Sequence, residues 1–211
     1  LDGVLMDSEH WWDEIRRQIT AEHGGSWQDG ATEAMLGMST PEWSEYLAAQ
    51  LGVRLAPEHI ARTVIDEMAR RFADAPPVIP GATDAVRDAA RRAPTAIATS
   101  APPRIVRAFL AGTDLADTVT AYVSSEEVGA GKPDPAVYLE AADRIRVPAD
   151  GCIAIEDSSN GMRAALAAGM TLIAAPNRAF PPDPGVVAQA AAVIDSVADL
   201  GPVLDRLTAS W

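Results

Sequence analysis

Residues 151–161 read GCIAIEDSSNG, an apolar run that ends at the paired carboxylates Glu156 and Asp157. An apolar run of this length, bounded by polar and glycine residues, predicts a buried β-strand, and the pattern from Gly161 to Ala168 predicts a following helix. In open α/β sheets, ligands bind beyond the carboxyl ends of the strands. The stretch therefore predicts a strand–helix unit with two carboxylates at the end where ligands bind.

Similar units stand on both sides of it. Apolar runs predict strands at residues 95–99, 118–123 and 171–175, and helical patterns cover residues 103–110 and 135–145. Strands that alternate with helices favour a parallel sheet with right-handed crossovers. We therefore predict an α/β fold with a Rossmann-like parallel sheet.

Residues 9–74 show a different pattern, because apolar side chains recur at helical spacing and no strand pattern interrupts them. Trp12, Ile15 and Ile19 are one such set. We predict an α-helical cap domain of residues 9–78, inserted into a core formed by residues 1–8 and 79–211. Four of the five tryptophans fall in this cap, and we expect most of them in its interior: Trp11, Trp12, Trp27 and Trp43.

Composition limits the functions that the chain can have. It has 211 residues, 48% of them hydrophobic, and a formal net charge of −13. The charge argues against nucleic-acid and anionic-membrane partners, and it means that an anionic substrate needs a local cation. The single cysteine, Cys152, excludes an internal disulfide, fits a reducing cytoplasm and is expected to be buried. We expect a cytoplasmic protein that is a monomer or a weak dimer.

Lys132 is the one lysine among seventeen basic residues and lies in the turn-rich segment GAGKPDP, residues 129–135. A compact, strongly hydrated ammonium group suits a small anion such as phosphate. Chance alone could also leave one lysine in the chain, so the neighbouring motifs decide between the two interpretations.

Four short segments follow apolar runs or begin the chain, and a parallel sheet would bring them to one crevice. They are residues 1–9, 99–100, 132–133 and 156–161. Their carboxylates suit Mg²⁺, which prefers oxygen ligands, and their lysine and hydroxyl groups suit phosphate oxygens. The combination favours phosphoryl transfer with a magnesium ion.

At this point the chain resembles the haloacid dehalogenase-like superfamily, in its phosphatase branch with a helical cap. Leu1-Asp2-Gly3-Val4-Leu5 is similar to the family's first motif without its first aspartate. Thr99 resembles the hydroxyl of the second motif, Lys132 the lysine of the third, and Glu156-Asp157 the acid pair of the fourth.

The resemblance implies a role for each matching residue. Asp2 would be the general acid and base, with its backbone carbonyl on the metal, and Glu156 and Asp157 would bind Mg²⁺. Thr99, Ser100 and Lys132 would hold the phosphate. Asp7 and Ser8 are expected to cap the first cap helix. Specificity is expected from cap residue Trp12 and from Met38, Ser39 and Thr40 in a loop that begins with Leu36 and Gly37.

The family's nucleophilic aspartate would stand immediately before Leu1, at the end of the central strand. We therefore expect further residues before Leu1, either as a separate segment or with the aspartate in modified form. An inactive protein that starts at Leu1 is the third alternative.

Within the family, the pattern is most similar to the β-phosphoglucomutase and sugar-phosphatase subfamily. The mutases carry a histidine where Trp12 stands and an arginine near Thr40, and both are absent here. The resemblance thus implies a Mg²⁺-dependent phosphatase of a small phosphomonoester, with a sugar phosphate as one option, acting through an aspartyl-phosphate. A phosphosugar mutase and a catalytically inactive binding protein are the alternatives.

Overall fold

The computed structural model describes residues 1–35, 38–178 and 180–209. The strands in these ranges are β1 (Ala96–Thr99), β2 (Ala121–Ser124), β3 (Ile153–Glu156), β4 (Thr171–Ala174) and β5 (Ala192–Val193). The helices are α1 (Glu9–Glu22), α2 (Ala31–Met35), α3 (Thr40–Ala49), α4 (Pro57–Asp74), α5 (Ala82–Arg92), α6 (Pro103–Gly112), α7 (Ser125–Val128), α8 (Ala136–Ile145), α9 (Ser159–Ala167), α10 (Pro184–Val187) and α11 (Leu200–Thr208).

All strand pairs are parallel, which confirms the predicted α/β class. The strands form two sheets rather than one, β1-β2 and β3-β4-β5. An apolar cavity of about 270 Å³ lies between them, and Leu1, Ile97 and Ile155 are among the residues that line it. Within the described ranges β1 and β3 do not pair, so the single sheet expected from the sequence is present as two parts.

The predicted strand at residues 118–123 begins three residues later than expected. The backbone N–H groups of Thr118 and Val119 both donate to the carbonyl of Leu115, at 3.0 Å, and so close a turn. The predicted strand is present, but the first residues of the run form this turn instead of joining the sheet.

Helices α1 to α4 occupy the segment between Glu9 and Asp74. The chain leaves the α/β part at residues 5–6 and re-enters it at residues 78–79, and these two segments pair. Met6 forms an antiparallel β-bridge with Val78, and the Ile79 N–H donates to the Leu5 carbonyl at 3.0 Å. The division at residues 8/9 and 78/79 stays a prediction. No helix of the described ranges is long and apolar enough to cross a membrane.

Helix α4 packs along α6, and this contact joins the helical segment to the α/β part. Phe72 and Phe109 are fully buried, and a Cβ added to Gly112 would come within 2.5 Å of the Phe72 carbonyl oxygen. Arg104 of α6 also forms an ion pair with Asp66 of α4. The absence of a side chain at Gly112 therefore permits this close approach.

Two expectations about burial need correction. Trp43 is buried, whereas Trp11, Trp12 and Trp27 are only partly buried at the edge of the core. Cys152 is also only partly buried. Its Sγ lies 3.4 Å from the Pro148 carbonyl oxygen, near the start of β3.

Candidate active site

The first loop places the Asp2-Gly3 pair beside Asp157, with the close contact at Gly3. Gly3 has a φ of +72°, and a Cβ there would lie 1.9 Å from Asp157 Oδ2. Only glycine combines this left-handed backbone with so close a neighbour. The Asp-Gly pair therefore brings the start of the chain against the carboxylate that follows β3.

Asp2 is held by Ser8, whose hydroxyl donates to its Oδ1. Ser8 is fully buried and directly precedes α1, but its side chain makes no capping hydrogen bond to that helix. The expected capping role of Ser8 is therefore wrong, and the hydroxyl orients the carboxylate of Asp2 instead.

Lys132 lies near the carboxyl ends of β1 and β3 and is joined to Pro133 by a cis peptide bond. Its Nζ forms an ion pair with Glu156 and donates to the Ala98 carbonyl at 3.3 Å. The Tyr138 hydroxyl donates to the same Glu156 oxygen, Oε1, at 2.6 Å. The structure thus brings Lys132 and Glu156 together with a buried tyrosine.

Opposing effects act on the two neighbouring carboxyl groups. Burial alone would raise the pKa of Glu156, but the charge of Lys132, then the charge of the Leu1 terminal amine, and the hydrogen bonds from Lys132 and Tyr138 hold it at about 2. For Asp157, burial and then the negative charge of Glu156 raise the pKa to about 6. Glu156 is therefore a firmly ionised partner of Lys132, whereas the terminal amine of Leu1 and a hydrogen bond from Asn177 only partly offset the rise in the pKa of Asp157.

Thr99 ends β1 and is buried, and its Oγ1 accepts a hydrogen bond from the Ala101 N–H at 3.1 Å. The hydroxyl proton remains available for a further acceptor. Ser100 is exposed, immediately beyond the strand end. Thr99 is the last residue of β1, the strand whose Ala98 carbonyl accepts a hydrogen bond from Lys132. The predicted phosphate-binding residues Thr99, Ser100 and Lys132 therefore lie at the same end of β1.

The predicted metal ligands Asp2, Glu156 and Asp157 stay a prediction. Within the described residues, no three His, Cys, Asp or Glu side chains are arranged to hold a metal ion. Glu156 Oε1 is engaged by Lys132 and Tyr138, and its Oε2 accepts from the Ser158 hydroxyl at 3.2 Å. Asp157 fits better, because it is largely buried and forms no ion pair with any described residue.

The predicted specificity residues have separate positions. The Thr40 hydroxyl donates to Glu126 Oε1 of α7 at 3.1 Å, and the Ser39 N–H and hydroxyl both donate to Glu42. Met38 is partly buried against the core, and Trp12 packs against Trp43 with ring centroids 6.4 Å apart. Leu36 and Gly37 lie outside the described residues. Ser39 therefore serves α3, while Thr40 joins the helical segment to the α/β part.

Sequence reasoning missed Tyr138 and Asn177, which contact the site from elsewhere in the chain. The side chain of Asn177 hydrogen-bonds Asp157, which lowers the pKa of that carboxyl group and partly offsets its burial. Tyr138 stands six residues after Lys132 on the buried face of α8. A polar aromatic residue within an otherwise apolar helix face was the one available signal, because a buried tyrosine hydroxyl needs a partner.

We expect Gly161→Ala to lower the free energy of unfolding by about 1–3 kcal/mol, as overpacking of a buried site does. A Cβ at this position would lie 1.9 Å from Glu156 Oε2, and this carboxylate is held on its other oxygen by Lys132 and Tyr138. Urea unfolding measures the effect. Gly131→Ala is the matched control, because no atom lies within 4 Å of its added Cβ. Equal free energies of unfolding for the two variants would contradict this prediction and show that the Glu156 side chain can move away from the added Cβ without cost.

Comparison with known proteins adds to this geometry. The sequence model of the haloacid dehalogenase-like hydrolases matches residues 1–169. The Phosphorylated carbohydrates phosphatase of Thermotoga maritima is 30% identical over 174 residues, which cover 82% of this chain and 81% of that protein. Hexitol phosphatase B of Escherichia coli K12 is 28% identical over 204 residues, covering 89% and 86% respectively. The crystal structure of CbbY from Rhodobacter sphaeroides in complex with phosphate superposes with a TM-score of 0.82 at 25% identity, covering 95% of this chain and 93% of that one.

Proposed function

Since the chain belongs to the haloacid dehalogenase-like hydrolases and is a phosphatase, we propose that it hydrolyses a phosphorylated sugar with Mg²⁺. The observation that carries the proposal is the meeting of Asp2, Asp157 and Lys132 with the carboxyl ends of β1 and β3. The names of the two phosphatase relatives support a sugar phosphate as the substrate class.

Lys132 and Thr99 are the proposed phosphate ligands. The ammonium group would compensate phosphate charge in a chain whose net charge is −13, and the Thr99 hydroxyl would donate to a phosphate oxygen. Preorganised donors of this kind provide most of the acceleration in phosphoryl transfer. The ion pair with Glu156 keeps Lys132 charged and in place before the substrate binds.

Asp2 is the proposed general acid and base. The family resemblance places a nucleophilic aspartate immediately before Leu1, and attack by that group on phosphorus would form the aspartyl-phosphate. The carboxyl group of Asp2 would protonate the departing sugar oxygen and would then accept a proton from the water that hydrolyses the intermediate. Its hydrogen bond from Ser8 fixes the side chain for both transfers.

Asp157 and the Asp2 backbone carbonyl are the proposed Mg²⁺ ligands, with Glu156 as a ligand only if it leaves Lys132. Mg²⁺ would supply neutralising charge to the phosphate oxygens. The partly buried Asp157 carboxylate, which forms no ion pair with a described side chain, is suited to this purpose. A cytoplasmic location is part of the same proposal and rests on the lack of any cysteine pair in the printed sequence.

The test is phosphate release by the full-length protein. The substrates are hexose phosphates, hexitol phosphates, phosphoglycolate and nucleoside monophosphates. We expect release from the sugar phosphates that stops with EDTA and returns with Mg²⁺. Release that is unaffected by EDTA would contradict the metal requirement. Transfer within the sugar that appears only with a bisphosphate primer would replace the hydrolase by a mutase.

A further inference from the structure

Arg16 of α1 lies over two indole rings. Its Cζ is 5.2 Å from the centroid of Trp12 and 4.7 Å from that of Trp43. Burial lowers the pKa of this guanidinium to about 10, so the group still carries its charge at neutral pH. The helical segment thus holds one cation against an aromatic surface that is largely shielded from water.

The Arg16 side chain has no hydrogen-bond acceptor among the described residues. Its Nε is buried without a partner. The neighbouring Asp13 is already occupied, since its oxygens accept from Arg17 at 2.6 Å and from Thr32 at 2.5 Å. A buried donor without an acceptor is costly, so an acceptor that arrives with a ligand would relieve this cost.

Glu9 connects Arg16 with the active site. This carboxyl group follows Ser8, the residue that donates to Asp2. Burial and then the charges of Asp2 and Asp157 raise its pKa, while Arg16 opposes that rise. Glu9 and Arg16 stand seven residues apart on α1 and therefore share one face of the helix, and Glu9 lies at the end of α1 that follows Ser8, the partner of Asp2.

We propose that Arg16 binds a second oxyanion of the substrate, a carboxylate or a second phosphate at the end remote from the reacting phosphoryl group. The inference rests on the proposed function and names the substrate class more closely. A guanidinium offers paired N–H donors that match the two oxygens of such a group, whereas a sugar hydroxyl offers a single neutral oxygen. In a chain of net charge −13, an acidic substrate needs such a cation.

The test compares matched substrates with wild type and Arg16→Met. Sorbitol 6-phosphate and 6-phosphogluconate differ by a hydroxymethyl or carboxylate group at the remote end, and fructose 6-phosphate and fructose 1,6-bisphosphate differ by a second phosphate. In one of the two pairs, we expect the wild-type protein to have a lower KM for the acidic member than for the neutral member. Arg16→Met should raise KM for that acidic member about ten- to a hundredfold, as loss of charge-assisted hydrogen bonds does. KM for its neutral counterpart should change less than about threefold.

Arg17→Met is the control, because Arg17 also lies over an indole ring, with its Cζ 4.5 Å from the Trp27 centroid. Arg17 is exposed and already pairs with Asp13, so its loss should not discriminate between the substrates. Arg16→Lys keeps the charge without the paired donors and should give an intermediate KM for the acidic member. An equal change of KM for both members of each pair would reduce Arg16 to a packing role and overturn the inference.

Binding to the Asp2→Asn variant, followed by tryptophan fluorescence, separates this inference from the proposed hydrolysis. Tighter binding of an acidic member that Arg16→Met abolishes would support the oxyanion site even without turnover. Hydrolysis of neutral sugar phosphates with no preference for acidic ones, in binding or in KM, would support the phosphatase and overturn the oxyanion site.

Discussion

Asp2→Asn is expected to lower kcat for phosphate release by about 10²–10⁴-fold, the usual contribution of a general acid or base. The amide has almost the same shape as the carboxylate and its oxygen can still accept the hydrogen bond from Ser8. It cannot exchange a proton with the sugar oxygen or with water. The measurement is phosphate release under saturating substrate, together with the thermal unfolding midpoint of the variant.

Asp7→Asn is the control for this substitution. Asp7 lies in the same segment, five residues further on, but its side chain is exposed. Its activity should remain within about threefold of wild type, because surface substitutions away from a site are nearly neutral. Full activity of a folded Asp2→Asn protein would remove Asp2 from the mechanism and with it the assignment by family resemblance.

Lys132→Met is expected to lower both activity and stability. Loss of the phosphate-binding charge should reduce kcat/KM by about 10²–10³-fold, the size seen when one electrostatic donor is removed. The free energy of unfolding should fall by about 3–5 kcal/mol, because Glu156 would remain as a buried carboxylate without its partner. Urea unfolding and steady-state kinetics measure the two effects separately.

The loss of stability should depend on pH in a definite direction. In wild type the folded pKa of Glu156 is about 2, below its ordinary value of 4.5. Its stabilising contribution is therefore fully present above pH 4.5 and is lost as the pH falls towards 2. The difference between wild type and Lys132→Met should accordingly be largest at neutral pH and shrink in acid.

Two further variants test this interpretation of Lys132. In the double variant Lys132→Met/Glu156→Gln, most of the stability should return while activity stays low, because the buried charge is gone but the phosphate ligand is not restored. Arg163→Met removes an ion pair to Asp183 at 2.7 Å on the surface and should cost at most about 1 kcal/mol. A Lys132→Met protein as stable as Arg163→Met would contradict a costly buried charge.

The strand–helix units could be predicted because their apolar runs are short and are bounded by polar, glycine or proline residues. β1, β3 and β4 begin within two residues of the expected positions. The turn at Leu115 was missed because Thr118 and Val119 have the composition of a strand, and only the backbone hydrogen bonds place them outside it. The break between the two sheets falls between β1 and β3, where Leu1 lines the cavity that separates them.

The identity of the site residues was easier to predict than the direction of their side chains. The sequence placed Glu156 at a strand end, where either a metal or a cation could pair with it, but Tyr138 and Lys132 decide its position. Ser8 was similarly assigned to the helix that it precedes, whereas burial turned its hydroxyl to Asp2. Arg16 carried no motif, and its position over Trp12 and Trp43 depends on the packing of α1 against α3.

The single lysine also allows this chain to be labelled with ¹³C at one side chain. Apart from the terminal amine, reductive methylation with ¹³C-formaldehyde has one amine to modify within the printed sequence, and its product would carry a ¹³C-dimethyl group at Lys132. Because this ammonium is 11% exposed and lies beside Glu156 and Tyr138, its NMR resonance would report on that environment alone. The amine proposed to bind the phosphate is therefore also a built-in spectroscopic label, with no other lysine signal in the printed sequence to overlap it.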